Sequence, residues 1–110
     1  MFQSRTPTVE VAALPADGYL IDVREHEEWQ AGHAPDAVHV PLSELTARSG
    51  EVPEDRDVYV ICKVGGRSEQ AVRYLNQMGR STVNVAGGML AWEAAGRPMV
   101  SELGGKPFVA

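Results

Sequence analysis

The sequence predicts an α/β fold: a mainly parallel central sheet with helices on both faces. Three observations predict it. Short apolar runs alternate with helix-like segments along the chain, which calls for parallel strands joined by crossover helices. Val58-Tyr59-Val60-Ile61 is an unbroken β-branched and aromatic run, as expected of a strand buried on both faces. After it, Ala71, Val72, Leu75 and Met78 mark the apolar stripe of a helix over Ser68 to Met78, and Gly79 stands at the position that ends such a helix.

The remaining elements follow from local signals. Thr8 is placed to cap a short helix over Val9 to Leu14, closed by Pro15 and the Asp17-Gly18 turn. Tyr19 to Val23 reads as a buried strand, and Glu25 to Ala31 as a polar helix stopped by Gly32. Ala37 to Val40 is a short strand ended by Pro41, and Leu42 to Ala47 is helical up to the Ser49-Gly50 break. Thr82 to Val85 is a further strand. Gly87-Gly88 opens a last helix, Met89 to Ala95, which Gly96 ends. Residues 1–99 form one domain, and Val100 to Ala110 is a tail with little pattern.

Length and composition fit that plan. A globular chain of 110 residues buries roughly two-thirds of the surface its unfolded form exposes, enough for a core without disulfides. Hydrophobic residues at 44% and charged residues at 23% exclude disorder as the default state. A formal net charge of −5 speaks against nucleic acid or an anionic membrane surface as partner. No run of about 18 apolar residues is present to span a membrane. Met1 to Leu14 lacks the apolar stretch of a signal peptide. The lone cysteine, Cys62, excludes an internal disulfide and a cysteine zinc cluster, and a reducing cytoplasm is the simplest compartment for it. His26 and His39 lack ligand spacing with another histidine or cysteine, so no metal site is expected.

In parallel α/β sheets the crevice opens at the carboxyl ends of the strands, and Arg24, Pro41, Cys62 and Ala86 fall there. Cys62-Lys63-Val64-Gly65-Gly66-Arg67-Ser68 joins the most buried strand to the best amphipathic helix. Gly65 and Gly66 let the backbone curl so that successive N–H groups point inward. The helix that follows turns its positive end to the same centre, and Lys63 and Arg67 add charge. All three effects favour a thiolate, so Cys62 reads as a nucleophile rather than a buried small hydrophobe. Asp22 and Arg24 read as a structural ion pair beside the site, and His33 as a turn-stabilising donor rather than a base. Trp29 and Trp92 read as packing residues, Gly87-Gly88 as a close backbone approach, and Glu25, Glu27 and Glu28 as a solvated helix face.

Strand-Cys62, four residues, then Arg67-Ser68 and a helix resembles the active-site loop of the rhodanese family. Leu20-Ile21-Asp22-Val23-Arg24 with Glu28 resembles the family's early signature. Gly32-His33-Ala34-Pro35 with Ala37 resembles its Gly-His-x-Pro-x-Ala turn, and Gly87-Gly88-Met89, Ala91-Trp92 and Gly96-Arg97-Pro98 its terminal signature. These segments occur in the family's order over residues 20–98. The resemblance implies a single rhodanese-like domain whose Cys62 takes a sulfane sulfur from a small donor such as thiosulfate. Backbone N–H groups of residues 63 to 68 would hold the persulfide, and cyanide or a thiol would remove it, without metal or organic cofactor. Lys63, Val64, Gly65, Gly66, Arg67 and Ser68 then line the substrate site. Two departures stand out: Asp36 adds a carboxylate to the turn, and Val64 stands where two-domain thiosulfate enzymes commonly carry lysine. The competing readings are an interaction or sulfur-relay module with a protein acceptor, and a cysteine phosphatase or arsenate reductase. Phosphatase loops place five residues between cysteine and arginine; here there are four. The sequence leaves the oligomeric state open.

Overall fold

The computed structural model describes residues 6–110. Met1 to Arg5, part of the stretch read for a targeting signal, lie outside the described residues. Among the described residues five strands form one sheet: β1 (Thr8–Val9), β2 (Tyr19–Asp22), β3 (Val38–His39), β4 (Val58–Ile61) and β5 (Thr82–Val85). Their order is β1-β5-β4-β2-β3, and every pairing is parallel. Four α-helices accompany them: α1 (His26–Ala31), α2 (Leu45–Arg48), α3 (Gly66–Gln77) and α4 (Gly88–Ala94).

Alternation along the central strands divides the core in two. Val58, Val60 and Cys62 of one face pack with Leu45 of α2 and with Ala71, Val72 and Leu75 of α3. Ile61 and Val85 of the other face pack with Met89 and Trp92 of α4 and with Val11. Both faces are covered, as the continuous apolar run of β4 requires. Pairing of Val60 with Ile21 and with Asn84 brings the ends of β2, β4 and β5 to one level, which sets Arg24, Cys62 and Ala86 along one rim.

Four local expectations are corrected. The segment from Thr8 is an edge strand followed by a 3-10 turn at Val11–Ala13, not a capped helix. The open edge of β5 supplies backbone partners for an extended segment here: Asn84 N–H donates to Pro7 O and Ala86 N–H to Val9 O. The Thr8 hydroxyl donates to Thr6 O instead of capping. The Leu42 segment splits into a 3-10 turn at Leu42–Glu44 and the short α2. Helix α3 begins at Gly66, two residues before Ser68. It closes as read: Arg80 N–H donates to Leu75 O and Gly79 N–H to Asn76 O, with Gly79 at φ +91°. Met78, just past its last turn, is exposed, because the chain leaves the helical stripe there.

The tail has structure that its sequence pattern hides. Val100 and His33 exchange backbone hydrogen bonds, Glu102 N–H donates to Gln30 O, and Phe108 N–H to Ala31 O. It straps the end of α1, and Gly32 is needed because a Cβ there would overlap the Phe108 backbone.

Candidate active site

Strand β4 ends at Ile61 and delivers Cys62 to the rim of the sheet with 1% of its surface exposed. The chain then turns through Lys63 and Val64 to Gly65, whose φ of +119° is open only to glycine at low cost. This turn folds the Gly65 N–H back onto Cys62 Sγ at 3.1 Å. Ser68, in the first turn of α3, sets its hydroxyl 3.2 Å from the same sulfur. Helix α4 braces the loop from the other side: Met89 N–H donates to Cys62 O at 2.8 Å and Leu90 N–H to Lys63 O at 3.1 Å. Gly88, at φ +57°, permits this approach, since a Cβ there would overlap both carbonyl oxygens.

Burial pushes the Cys62 thiol up, but it is outweighed. The Ser68 hydroxyl and the amides of Ser68, Gly65 and Val64 favour the anion and bring the group below the ordinary thiol value. The helix-end amides and the Ser68 hydroxyl are the groups in contact with the sulfur. Arg67 is committed elsewhere, forking onto the Glu28 carboxylate with Nη1 to Oε1 at 2.6 Å and Nη2 to Oε2 at 2.8 Å. Lys63 is half-buried, and Val64, 60% exposed, forms the outer lip of the loop.

Asp22 and Arg24 form a buried ion pair. Arg24 Nε donates to Asp22 Oδ1 at 3.0 Å and Nη2 to Oδ2 at 2.8 Å. Nη2 also reaches Gly32 O at 2.7 Å and so ties the strand end to the turn before β3. His33 has both ring nitrogens occupied, Nδ1 against Ala34 O and Nε2 against Glu102 Oε2, each at 2.8 Å. Its ring stacks on Trp29 at 3.5 Å. Neither nitrogen is free to serve as a base. Asp36 lines a separate cleft with Leu14, Tyr59 and Trp92, and no residue of the Cys62 loop takes part in that cleft.

Two residues at the site were not read for what they do. Glu28 belongs to the acidic cluster taken as a solvated face, yet it neutralises Arg67 and accepts the Glu25 N–H that opens α1. Asn84 reads as one residue of a strand. Its side chain is buried against Ser68, with Oδ1 at 2.5 Å from the Ser68 hydroxyl oxygen. An asparagine inside an apolar strand was the available signal, because such a group needs a partner.

The family model for the rhodanese-like domain matches residues 8–95. The chain belongs to that family. A sulfurtransferase of Allochromatium vinosum is 42% identical to this rhodanese-like chain over 89 residues, covering 80% of this chain and 83% of the relative. The fold of a rhodanese-related protein from Thermoplasma volcanium superposes with a TM-score of 0.81 at 33% identity, covering 86% of this chain and 97% of the other. A thiosulfate sulfurtransferase from Pseudomonas aeruginosa superposes with a TM-score of 0.75 at 27% identity, covering 88% of this chain and 20% of its own. The rhodanese-like α/β domain predicted from the sequence is thus the fold found.

Proposed function

We propose that this rhodanese-like domain moves a sulfane sulfur from a small anionic donor such as thiosulfate to a thiophilic acceptor, through a persulfide on Cys62. The observation that carries the reading is the Cys62 sulfur set against the Gly65 amide and the Ser68 hydroxyl at 3.1 and 3.2 Å. A thiolate held there attacks the outer sulfur of thiosulfate. The S–S bond of the donor breaks with its electron pair going to sulfite, and Cys62 keeps the sulfur as a persulfide anion. Cyanide then takes the terminal sulfur as thiocyanate and returns the thiolate; a thiol acceptor leaves as its own persulfide. With the thiolate already formed no base has to remove a proton, in keeping with the occupied nitrogens of His33. Neither half-reaction calls for a metal or organic cofactor.

The loop residues divide the work. Amides of Val64, Gly65 and Ser68 hold negative charge on sulfur, Lys63 attracts the donor, and Arg67 with Glu28 fixes the first turn of α3. Asp22 and Arg24 hold the neighbouring strand end. A thiol, free or on a protein, is the cellular acceptor that suits this chemistry, and a reducing cytoplasm keeps Cys62 competent. Among the described residues no helix is long and apolar enough to cross a membrane. The test is initial-rate kinetics with thiosulfate and cyanide. Parallel double-reciprocal lines and complete loss of turnover in Cys62→Ser support the scheme; turnover that survives Cys62→Ser refutes it.

A further inference from the structure

Ser68 has one hydroxyl proton and three acceptors in reach. Its Oγ lies 3.2 Å from Cys62 Sγ, 3.2 Å from Gly65 O and 2.5 Å from Asn84 Oδ1. Asn84 is buried in β5, and its Nδ2 gives a long 3.4 Å bond to Gly65 O. That carbonyl also accepts the Glu69 N–H at 3.1 Å, so it does not depend on Asn84.

Proton counting separates two states. With a thiol at Cys62 the chain is matched: S–H to Ser68 Oγ, Ser68 O–H to Asn84 Oδ1, and Asn84 Nδ2–H to Gly65 O. A thiolate has no proton to give and calls for one. Ser68 can turn its O–H onto the sulfur, but its oxygen would then face a bare Oδ1 at 2.5 Å, which is repulsive. Half a turn of the Asn84 amide removes the conflict by placing Nδ2 against Ser68 Oγ. The turn gives up the 3.4 Å bond and sets Oδ1 at that long distance from Gly65 O, a weak repulsion against an oxygen that keeps the Glu69 N–H. The heavy atoms fit either amide orientation, since oxygen and nitrogen have nearly the same shape.

We propose that Asn84 is a positioning residue for Cys62, its amide turning with the charge of the sulfur and so deciding whether the Ser68 proton points at Asn84 or at the thiolate. The proposal rests on the reading of Cys62 as the nucleophile. The thiol proton leaves to solvent, and Ser68 keeps its own proton throughout. Thiolate is the attacking group in sulfur uptake and the leaving group in sulfur release, so the turned arrangement serves both half-reactions.

The test is the pH midpoint of Cys62 alkylation in wild type, Asn84→Asp, Ser68→Ala and the double variant. Aspartate offers only acceptors, so it keeps the Ser68 proton off the sulfur in either orientation. Asn84→Asp should raise the midpoint by about one pH unit or more. In the Ser68→Ala background the same change should raise it by less than half as much, because only the carboxylate's charge then acts on the sulfur. Equal shifts in the two backgrounds would overturn the proposal. If Asn84→Asp fails to fold, wild type and Ser68→Ala suffice. The Asn84 side-chain amide resonances should titrate with the Cys62 midpoint in wild type and lose that titration in Ser68→Ala; a titration unchanged by Ser68→Ala overturns it. Sulfur uptake is read separately by mass, so failure here is distinct from failure of the persulfide reading.

Discussion

Arg67 and Glu28, 39 residues apart in sequence, meet as a two-pronged ion pair at 2.6 and 2.8 Å. The pair joins α1 to the first turn of α3 and cancels a cation that would otherwise stand free beside the Cys62 loop. Arg67 holds the Glu28 carboxyl below the usual carboxylate value of 4.5.

Glu28→Gln keeps an oxygen for the Glu25 N–H but loses the ion pair. Both partners are partly exposed, so the expected cost is about 1 kcal/mol. The sign with pH follows from the lowered Glu28 value: the pair stabilises fully above 4.5, and its contribution fades as pH falls through the folded-state value. Thermal melts should show a gap between wild type and Glu28→Gln at neutral pH that closes in acid. A gap independent of pH would mean that the carboxylate charge is not the source.

The same pair bears on phosphate chemistry. A tetrahedral dianion needs an arginine fork on its oxygens, and Arg67 is already forked onto Glu28, with four loop residues instead of five before it. Wild type should therefore show no measurable hydrolysis of p-nitrophenyl phosphate. Hydrolysis that disappears in Cys62→Ser would replace the sulfurtransferase reading with a phosphatase.

Cys62 alkylation should have a midpoint below the value of about 8.5 for a free thiol. Gly65→Ala should raise it by about one pH unit, because the φ of +119° that aims the Gly65 amide at sulfur is lost. Lys63→Ala should leave the midpoint nearly unchanged while raising KM for thiosulfate several-fold, since Lys63 acts on the donor's charge rather than on the sulfur. A larger midpoint shift for Lys63→Ala than for Gly65→Ala would reverse that assignment.

Two glycines near the loop should answer alanine in opposite ways. A Cβ at Gly88 would overlap the Cys62 and Lys63 carbonyls, and φ there is +57°. Gly88→Ala should cost about 3 kcal/mol and displace the loop, with sulfur transfer lost in proportion. Gly66 opens α3 with no atom near a Cβ, so Gly66→Ala should be neutral or stabilising by up to about 1 kcal/mol. Denaturant melts of the two variants, with activity assays, distinguish a packing role at Gly88 from general loop sensitivity.

These contacts mark what was legible in the chain. The sheet, its two covered faces and the position of Cys62 followed from the β4 run and the α3 stripe, because burial on both faces leaves a local apolar pattern. The glycine turn was legible because only backbone freedom explains Gly65 where it stands. Glu28 and Asn84 were hidden because their partners, Arg67 and Ser68, lie 39 and 16 residues away. Residue type gives the need for a partner but not its address. The tail was hidden for a related reason, as backbone bonds to Gln30, Ala31 and His33 hold it and backbone bonds leave little trace in side-chain pattern. Thr8 misled because a capping residue before a short apolar stretch also suits an edge strand, and only the place beside β5 decides between them.

Intact mass of the reduced, folded protein after thiosulfate tests the central claim most directly. The account predicts a gain of about 32 Da per chain, reversed by cyanide and absent in Cys62→Ser. No gain with thiosulfate or any other sulfane donor would contradict it.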